Sequence, residues 1–320
     1  MKPIHRTAAL AAAAWLGLAG PAAACLTCGC GGSGTSADLG AVGGAASLFS
    51  LGHRWLIQEG TNMRDITGSF NERGEWNPSP VGGSIYSLQS ALGVTFFPTL
   101  GSSIGVQIPV IANRLNNAAW GPLGSVAPTD AGMTTGSAIG DLSFQGTYKF
   151  YEADAWALAA WAGASAPTGQ LGTDAAGIYT PAGMTGSGVW SGQAGLLGVT
   201  QLGDVELTGT LGYQQPFSKP TLAASTFYVG NAVIYQLQGN YRLTDAWRVG
   251  LGLNGYRGNG QFGASDTVTP MSALKLVPSV QYSWGGDKGI RLAAGFDPRV
   301  GGQNAMTDLS GYAVFYQFIQ

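Results

Sequence analysis

The sequence predicts an all-β protein, a transmembrane antiparallel up-and-down β-barrel of about 12 strands. Three observations point there. The first is a rhythm of connections. Long polar stretches end near Gly83, Ala138, Ser187, Phe227, Ala273 and Ser310, and tight turns alternate with them at Phe97–Ser102, Tyr151–Ala155, Gln201–Gly203, Thr244–Asp245 and Gly285–Gly289. Sorting of loop lengths by end is a property of outer-membrane barrels, with short periplasmic turns and long outer loops. The second is the strict alternation of apolar and polar side chains within the segments between those connections. The third is composition: 45% of residues are hydrophobic, 10% are charged, and the chain holds 52 glycines. Charge at that level is well below the roughly 25% of ordinary soluble domains. Glycine costs about 1 kcal/mol in a helix interior, which argues against a helical bundle.

The N-terminus reads as an export signal. Lys2 and Arg6 precede an apolar run, Ala8 to Leu18, that is too short to span a bilayer, and Ala22-Ala23-Ala24 is a small-residue cleavage site. The expected organisation is a cleavable signal over residues 1–24, a Cys/Gly-rich periplasmic segment over 25–44 and the barrel over 45–320. No later run is apolar enough for a spanning helix. With net charge −2, the chain shows no basic excess, and no nucleic-acid partner is expected.

The clearest strand is Ile139–Phe150, with Leu142, Phe144, Tyr148 and Phe150 on one face and Asp141, Ser143, Gln145, Thr147 and Lys149 on the other. Successive side chains of a strand point to opposite faces, so this is an apolar-out, polar-in ribbon. Val205–Tyr213, Val233–Leu243 and Ile290–Phe296 repeat it. Weaker members are Leu48–Gln58, Tyr86–Phe96, Ser103–Asn113, Trp156–Ala164, Val189–Thr200, Trp247–Tyr256, Leu274–Trp284 and Leu309–Phe318. An even strand number returns both termini to the periplasm. Trp247, Trp284, Tyr86, Tyr151 and Tyr213 fall near strand ends and read as interfacial girdles. The last strand, Tyr312 to Phe318, carries aromatics at alternate positions and resembles the C-terminal recognition strand of outer-membrane proteins.

Four stretches carry a family resemblance. Ile139-Gly140-Asp141-Leu142, followed by Tyr148-Lys149-Phe150, is similar to the Gly-Asp-Leu strand of the outer-membrane barrels named for the meta-cleavage pathway of phenol degradation. Ala166-Pro167-Thr168-Gly169 resembles the Pro-Thr-Gly element of that family, Gly186-Ser187-Gly188-Val189-Trp190 its next strand start, and Pro278-Ser279-Val280-Gln281-Tyr282 a late strand. The resemblance covers roughly Ile139 to the C-terminus. It implies a transporter that passes small, often hydrophobic, compounds across the outer membrane.

Cys25, Cys28 and Cys30, in Cys25-Leu26-Thr27-Cys28-Gly29-Cys30, form the sharpest local motif. Thiolates at this spacing can converge on a soft ion, Cu or Zn. A disulfide in the oxidising periplasm, lipidation of Cys25 and an inert tail are alternative readings. Gly250-Leu251-Gly252-Leu253-Asn254-Gly255 spells a dinucleotide fingerprint, but that fingerprint needs a strand-to-helix turn. Here Val249, Leu251 and Leu253 alternate within a strand, which makes the glycines small residues of the lumen face. Beyond the signal, His53 is the single histidine, and it falls on apolar parity with Leu51 and Trp55; no catalytic site is expected.

Inward parity collects Arg54, Lys149, Arg242, Arg248, Lys275, Arg291 and Arg299 against Asp141, Glu206 and Asp297. These residues are the expected lumen lining, basic in balance, a pattern that favours anions when it lines a pore. The Gly-rich stretch Gly31–Gly44 is a candidate partial plug. The expectation is therefore a monomeric barrel in outer-membrane lipid, termini periplasmic, that passes small solutes passively, including hydrophobic or aromatic ones. The alternative is a barrel that binds metal through its N-terminal cysteines and serves metal handling or a periplasmic partner.

Overall fold

The computed structural model describes residues 55–78, 84–116, 134–153, 155–169, 171–173, 179–184, 186–217, 227–262, 268–284, 287–303 and 305–319. Its strands are, in order, β1 (Trp55–Phe70), β2 (Trp76–Pro78), β3 (Ser84–Thr99), β4 (Ser102–Asn116), β5 (Thr134–Ile139), β6 (Leu142–Glu152), β7 (Trp156–Ala166), β8 (Leu171–Thr173), β9 (Tyr179–Met184), β10 (Ser191–Leu202), β11 (Val205–Pro216), β12 (Phe227–Arg242), β13 (Trp247–Phe262), β14 (Val268–Trp284), β15 (Lys288–Phe296) and β16 (Met306–Ile319). β5 and β6 are two pieces of one stave, both paired to β4. β2 folds back on the end of β1, and β8 pairs with β9 as a separate small hairpin. The wall is a closed antiparallel barrel of 12 strands.

Each stave pairs with its chain neighbour, and β16 returns to β1 from Trp55↔Ile319 to Ser69↔Met306. The tight turns after β3, β10 and β12 fall where the sequence places them, and their residues explain why. Thr99 and Ser102 join side-chain oxygens at 2.7 Å across the first. Gly203 has φ +64° in the turn after β10, a left-handed conformation that favours glycine. The Thr244 Oγ1 accepts from the backbone N–H groups of Ala246 and Trp247 at 3.2 and 3.0 Å.

Two expectations are corrected. The first stave runs on to Phe70, well past the expected end at Gln58, and Leu48–Arg54 lie outside the described residues. Its inward residues Gln58, Asn62 and Arg64 are polar, and its outward set includes Glu59, Thr61 and Asp65, so hydropathy alternation fades although the backbone period continues. The connection expected to be long and polar up to Ala273 is instead an extended hairpin: β13 runs to Phe262 and β14 begins at Val268, in register from Trp247↔Tyr282 to Gln261↔Val268.

Parity sorts the two faces. Ile104, Tyr148, Leu196, Leu211, Leu237, Leu251 and Leu309 stand exposed outside, in a belt that encircles the sheet. An exposed apolar surface of that extent is a membrane face, and about 25 Å is the usual height of such a band. Aromatic pairs rim it at the short-turn end, with Trp55 against Phe96 (4.7 Å between ring centroids), Trp247 against Tyr282 (4.8 Å) and Trp284 against Phe315 (6.0 Å). The alternating aromatics of the last strand turn the other way: Tyr312, Tyr316 and Phe318 are buried inside. With Leu56, Ala91, Phe97 and Val314, Tyr316 and Phe318 form an apolar cluster on the inner wall near the short turns.

Three of the motifs singled out in the sequence converge on one joint. Asp141 sits in the break between β5 and β6. Its Oδ1 accepts from the Gly169 N–H at 2.9 Å, and its Oδ2 accepts from the Ser187 N–H and Oγ, each at 2.6 Å. Thr168 Oγ1 accepts from the Leu142 N–H (2.9 Å) and donates to the Gly140 carbonyl (2.8 Å). Gly186 packs so close to Asp141 and Gly169 that a Cβ there would clash. One carboxylate thus ties the stave break to the segments that leave β7 and enter β10. Charge-assisted hydrogen bonds are each worth about 1.5–3 kcal/mol. Asp141→Ala is expected to lower stability by about 2–3 kcal/mol on that basis, and Asp141→Asn by less because it keeps one acceptor. Urea unfolding midpoints in lipid vesicles check this ordering.

Candidate functional site

The interior is the candidate site, and its wall divides into two arcs. Toward the middle of β7 and β10 a strip of the inward residues is apolar: Ala157, Ala159, Trp161, Leu197 and Val199 are all buried. They lie opposite one another in register, Leu197 to Ala159 and Val199 to Ala157. The Trp161 indole spreads over Gly195 and Gly212, where a Cβ on either glycine would collide with the ring. Those glycines are the space an inward tryptophan needs.

The arc from β11 around to β1 carries the buried charges, set among apolar residues such as Ile234, Val277 and Val314. Toward the long connections, Asp308 on β16 is shared by two cations. Arg64 Nη2 donates to Asp308 Oδ2 at 2.7 Å and Arg64 Nε to the same atom at 3.2 Å, while Lys275 Nζ donates to Oδ1 at 2.5 Å. Lys275 also reaches Ser310 Oγ (3.3 Å), which lies 2.8 Å from the Tyr312 hydroxyl. All three charged groups are nearly inaccessible, at 5%, 5% and 4% exposure for Arg64, Lys275 and Asp308. Buried charges persist only when paired and hydrogen-bonded, and this triad meets that condition by contact.

Toward the short turns lies a second group. Arg291 on β15 donates to Gln238 Oε1 on β12 at 3.0 Å, and Gln238 Nε2 donates to Asn240 Oδ1 at 2.9 Å. This span passes over Gly250 and Gly252 of β13, where a Cβ would meet the Gln238 and Asn240 side chains. The Gly-Leu-Gly-Leu pattern is therefore a flattened inner strand beneath a polar bridge. Gln281 Nε2 and Ser283 Oγ lie 2.7 and 3.0 Å from the Tyr316 hydroxyl. Glu206 and Arg248 are buried here as well.

The sequence-predicted residues distribute unevenly. Glu206, Arg248, Lys275 and Arg291 are buried on the inner face. Lys149 pairs with Glu152 at 2.7 Å beside a short turn, and Arg242 with Asp204 at 2.6 Å beside another. Asp141 belongs to the stave joint. Asp297 and Arg299 lie beyond β15, where Asp297 Oδ1 accepts from the Arg299 N–H at 2.7 Å and the Arg299 guanidinium lies 3.9 Å from the centre of the Trp76 ring. Burial raises the Asp297 carboxyl above the usual carboxylate range. Cys25, Cys28, Cys30, His53, Arg54 and the stretch Gly31–Gly44 lie outside the described residues. The partners that sequence reasoning missed are Arg64 and Asp308. Arg64 lies on the misplaced first stave, and Asp308 one residue before the expected start of the last. Extending the parity of Gln58 and Asn62, or of Ser310 and Tyr312, would have found both.

A closed 12-strand barrel with an apolar outer belt and a polar inner arc defines the outer-membrane barrel class. The sequence matches the family described as "Putative MetA-pathway of phenol degradation" over residues 58–306, and the chain belongs to that family. Among solved structures, an outer membrane channel from Pseudomonas putida F1 is similar, at 15% identity over 83% of this chain and 96% of that one, with a TM-score of 0.64. The NanC porin (10% identity, 83% and 100% coverage, TM-score 0.46) and the TodX deltaS2S3 mutant monoaromatic hydrocarbon channel (11%, 95% and 98%, 0.46) are more distant in shape. Only the first is near enough to argue from, and at its identity it shows the fold alone. No curated protein sequence matches the chain.

Removing one member of a buried charge network costs about 3–5 kcal/mol, because the remaining charges lose their counter-ion. Asp308→Ala is expected to fall in that range, since both Arg64 and Lys275 lose the carboxylate they share. Arg64→Met with Asp308→Ala and Lys275→Met is expected to recover much of the loss. Urea midpoints of the single and triple variants in vesicles measure the difference.

Proposed function

We propose that this chain is a passive outer-membrane channel for small amphipathic solutes, hydrophobic and aromatic compounds among them. It works as a monomer with both termini on the periplasmic side, after export directed by residues 1–24. The observation that carries this reading is the two-sided interior. An apolar strip of Ala157, Ala159, Leu197 and Val199 runs beside a hydrogen-bonding arc that begins at Thr208 and Thr210, which pair directly across from Val199 and Leu197. A solute with an apolar body and a polar group finds both surfaces at this seam, whereas a wholly polar porin lumen offers only one. The apolar outer belt, membership of the phenol-degradation family and the likeness to a structure described as an outer membrane channel support the same reading. The lumen of a barrel this size lies between the filled core of eight strands and the open channel of sixteen, which suits a narrow, selective path.

Purified protein in planar bilayers is expected to conduct, and vesicles containing it to take up phenol faster than empty vesicles. Absence of both would sink the channel reading. Leu197→Asn, which interrupts the apolar strip, is expected to slow phenol uptake severalfold while leaving glycerol uptake unchanged. Equal slowing of both solutes would show that the strip acts as a steric element only.

A further inference from the structure

The charges near the long connections are satisfied by contact, because Asp308 binds both Arg64 and Lys275. Glu206 and Arg248, on the inner wall nearer the short turns, form no such ion pair. Glu206 is 2% exposed on the inner face of β11, and neither of its carboxylate oxygens has a hydrogen-bond donor. Arg248, on β13, has no acceptor for Nη1, and Asn240, on β12 between them, has none for Nδ2. Glu206 and Asn240 are direct cross-strand partners, and Arg248 pairs with the residue two positions along from Asn240. Buried polar atoms in folded proteins are hydrogen-bonded almost throughout. The Glu206 carboxyl oxygens, Arg248 Nη1 and Asn240 Nδ2, unbonded and on adjacent staves, therefore mark a place that is completed by something the barrel admits.

Charge and neighbourhood say what that is. Arg248 and Arg291 lie in one row of the inner wall, each opposite Gln281, so two guanidiniums stand to one carboxyl group. The carboxylate in turn accepts only from a donor. The group also borders the apolar strip, since Glu206 pairs with Gln201 and Thr208 with Val199 on β10. We infer that Glu206, Asn240 and Arg248 form a binding station for a small organic monoanion that also carries a hydroxyl. Its acidic group lies against Arg248 Nη1 and Asn240 Nδ2, its hydroxyl donates to Glu206, and its apolar body lies along Ala157, Leu197 and Val199. This inference rests on the channel reading and adds the charge class and the residues that select it.

The test uses full-length protein refolded in detergent and in bilayers, with 4-hydroxybenzoate, benzoate and phenol as probes. Titration calorimetry is expected to rank 4-hydroxybenzoate above benzoate and benzoate above phenol. Arg248→Gln is expected to weaken 4-hydroxybenzoate about tenfold, as the loss of one charge-assisted hydrogen bond does, and to leave phenol unchanged. Glu206→Met, which removes the acceptor, is expected to erase the difference between 4-hydroxybenzoate and benzoate. Equal binding of the three probes, or an Arg248→Gln protein that binds 4-hydroxybenzoate as the unsubstituted one does, overturns the station. Should either variant fail to fold, the reversal potential of the unsubstituted protein in a potassium chloride gradient decides. A preference for chloride that 4-hydroxybenzoate reduces supports the station, and cation preference or no effect of the probe overturns it. Conductance without probe binding defeats the station and leaves the channel; probe binding without conductance does the reverse.

Discussion

The pairing of the last strand with the first is the constraint on which everything else in this barrel depends. A sheet edge facing hydrocarbon leaves backbone N–H and C=O groups with nothing to bond, at several kcal/mol each. The ladder from Trp55↔Ile319 to Ser69↔Met306 removes that edge. The same ladder sets parity. A slip of one residue would turn Gln58, Asn62 and Arg64 toward lipid and draw Trp55, Ile57 and Met63 inward. The register is therefore held by the two solvents it separates, hydrocarbon outside and the polar groups of the wall inside.

Within that frame the interior is sorted by arc and by height. Asp308 holds two cations together where β14, β16 and β1 lie close, which lets three ionised groups stay buried at one level of the barrel. At the other level the Gln238–Asn240–Arg291 bridge lies over the glycines of β13, and the Glu206 carboxyl oxygens and Arg248 Nη1 have no hydrogen-bond partner. The apolar strip on β7 and β10 faces neither of these needs and is free to carry Trp161 over Gly195 and Gly212. The motifs that carried the family resemblance in the sequence are different residues. The Gly-Asp-Leu, Pro-Thr-Gly and Gly-Ser motifs meet at Asp141, where the fourth stave breaks. What those residues do in this chain is join segments of the wall.

Much of this was legible in the chain. The tight turns carried their own chemistry in Gly203, Thr244 and the Thr99–Ser102 pair, and the alternation in Leu142–Phe150, Val205–Tyr213 and Val233–Leu243 announced which face met lipid. The first stave was hard to read because Glu59, Thr61 and Asp65 turn outward, opposite to the usual sorting, and erase the hydropathy signal while the backbone period persists. That one loss concealed Arg64 and, with the late start assigned to β16, the Arg64–Asp308 pair. Asp141 was misjudged for another reason: parity assigned it to the lumen, but it sits at a break where the strand period stops applying.

Sequence by itself determined the barrel, its turns and the inward bias of Glu206, Arg248, Lys275 and Arg291. Those follow from a period of two and from local turn chemistry, which are properties of neighbours in the chain. Only the tertiary structure decided which charges meet. Arg64 and Asp308 are 244 residues apart and touch because closure brings the first strand beside the last. Glu206 and Arg248 share the inner wall yet form no bond. Pairing across a barrel depends on register and on the distance between staves, and no local pattern encodes either.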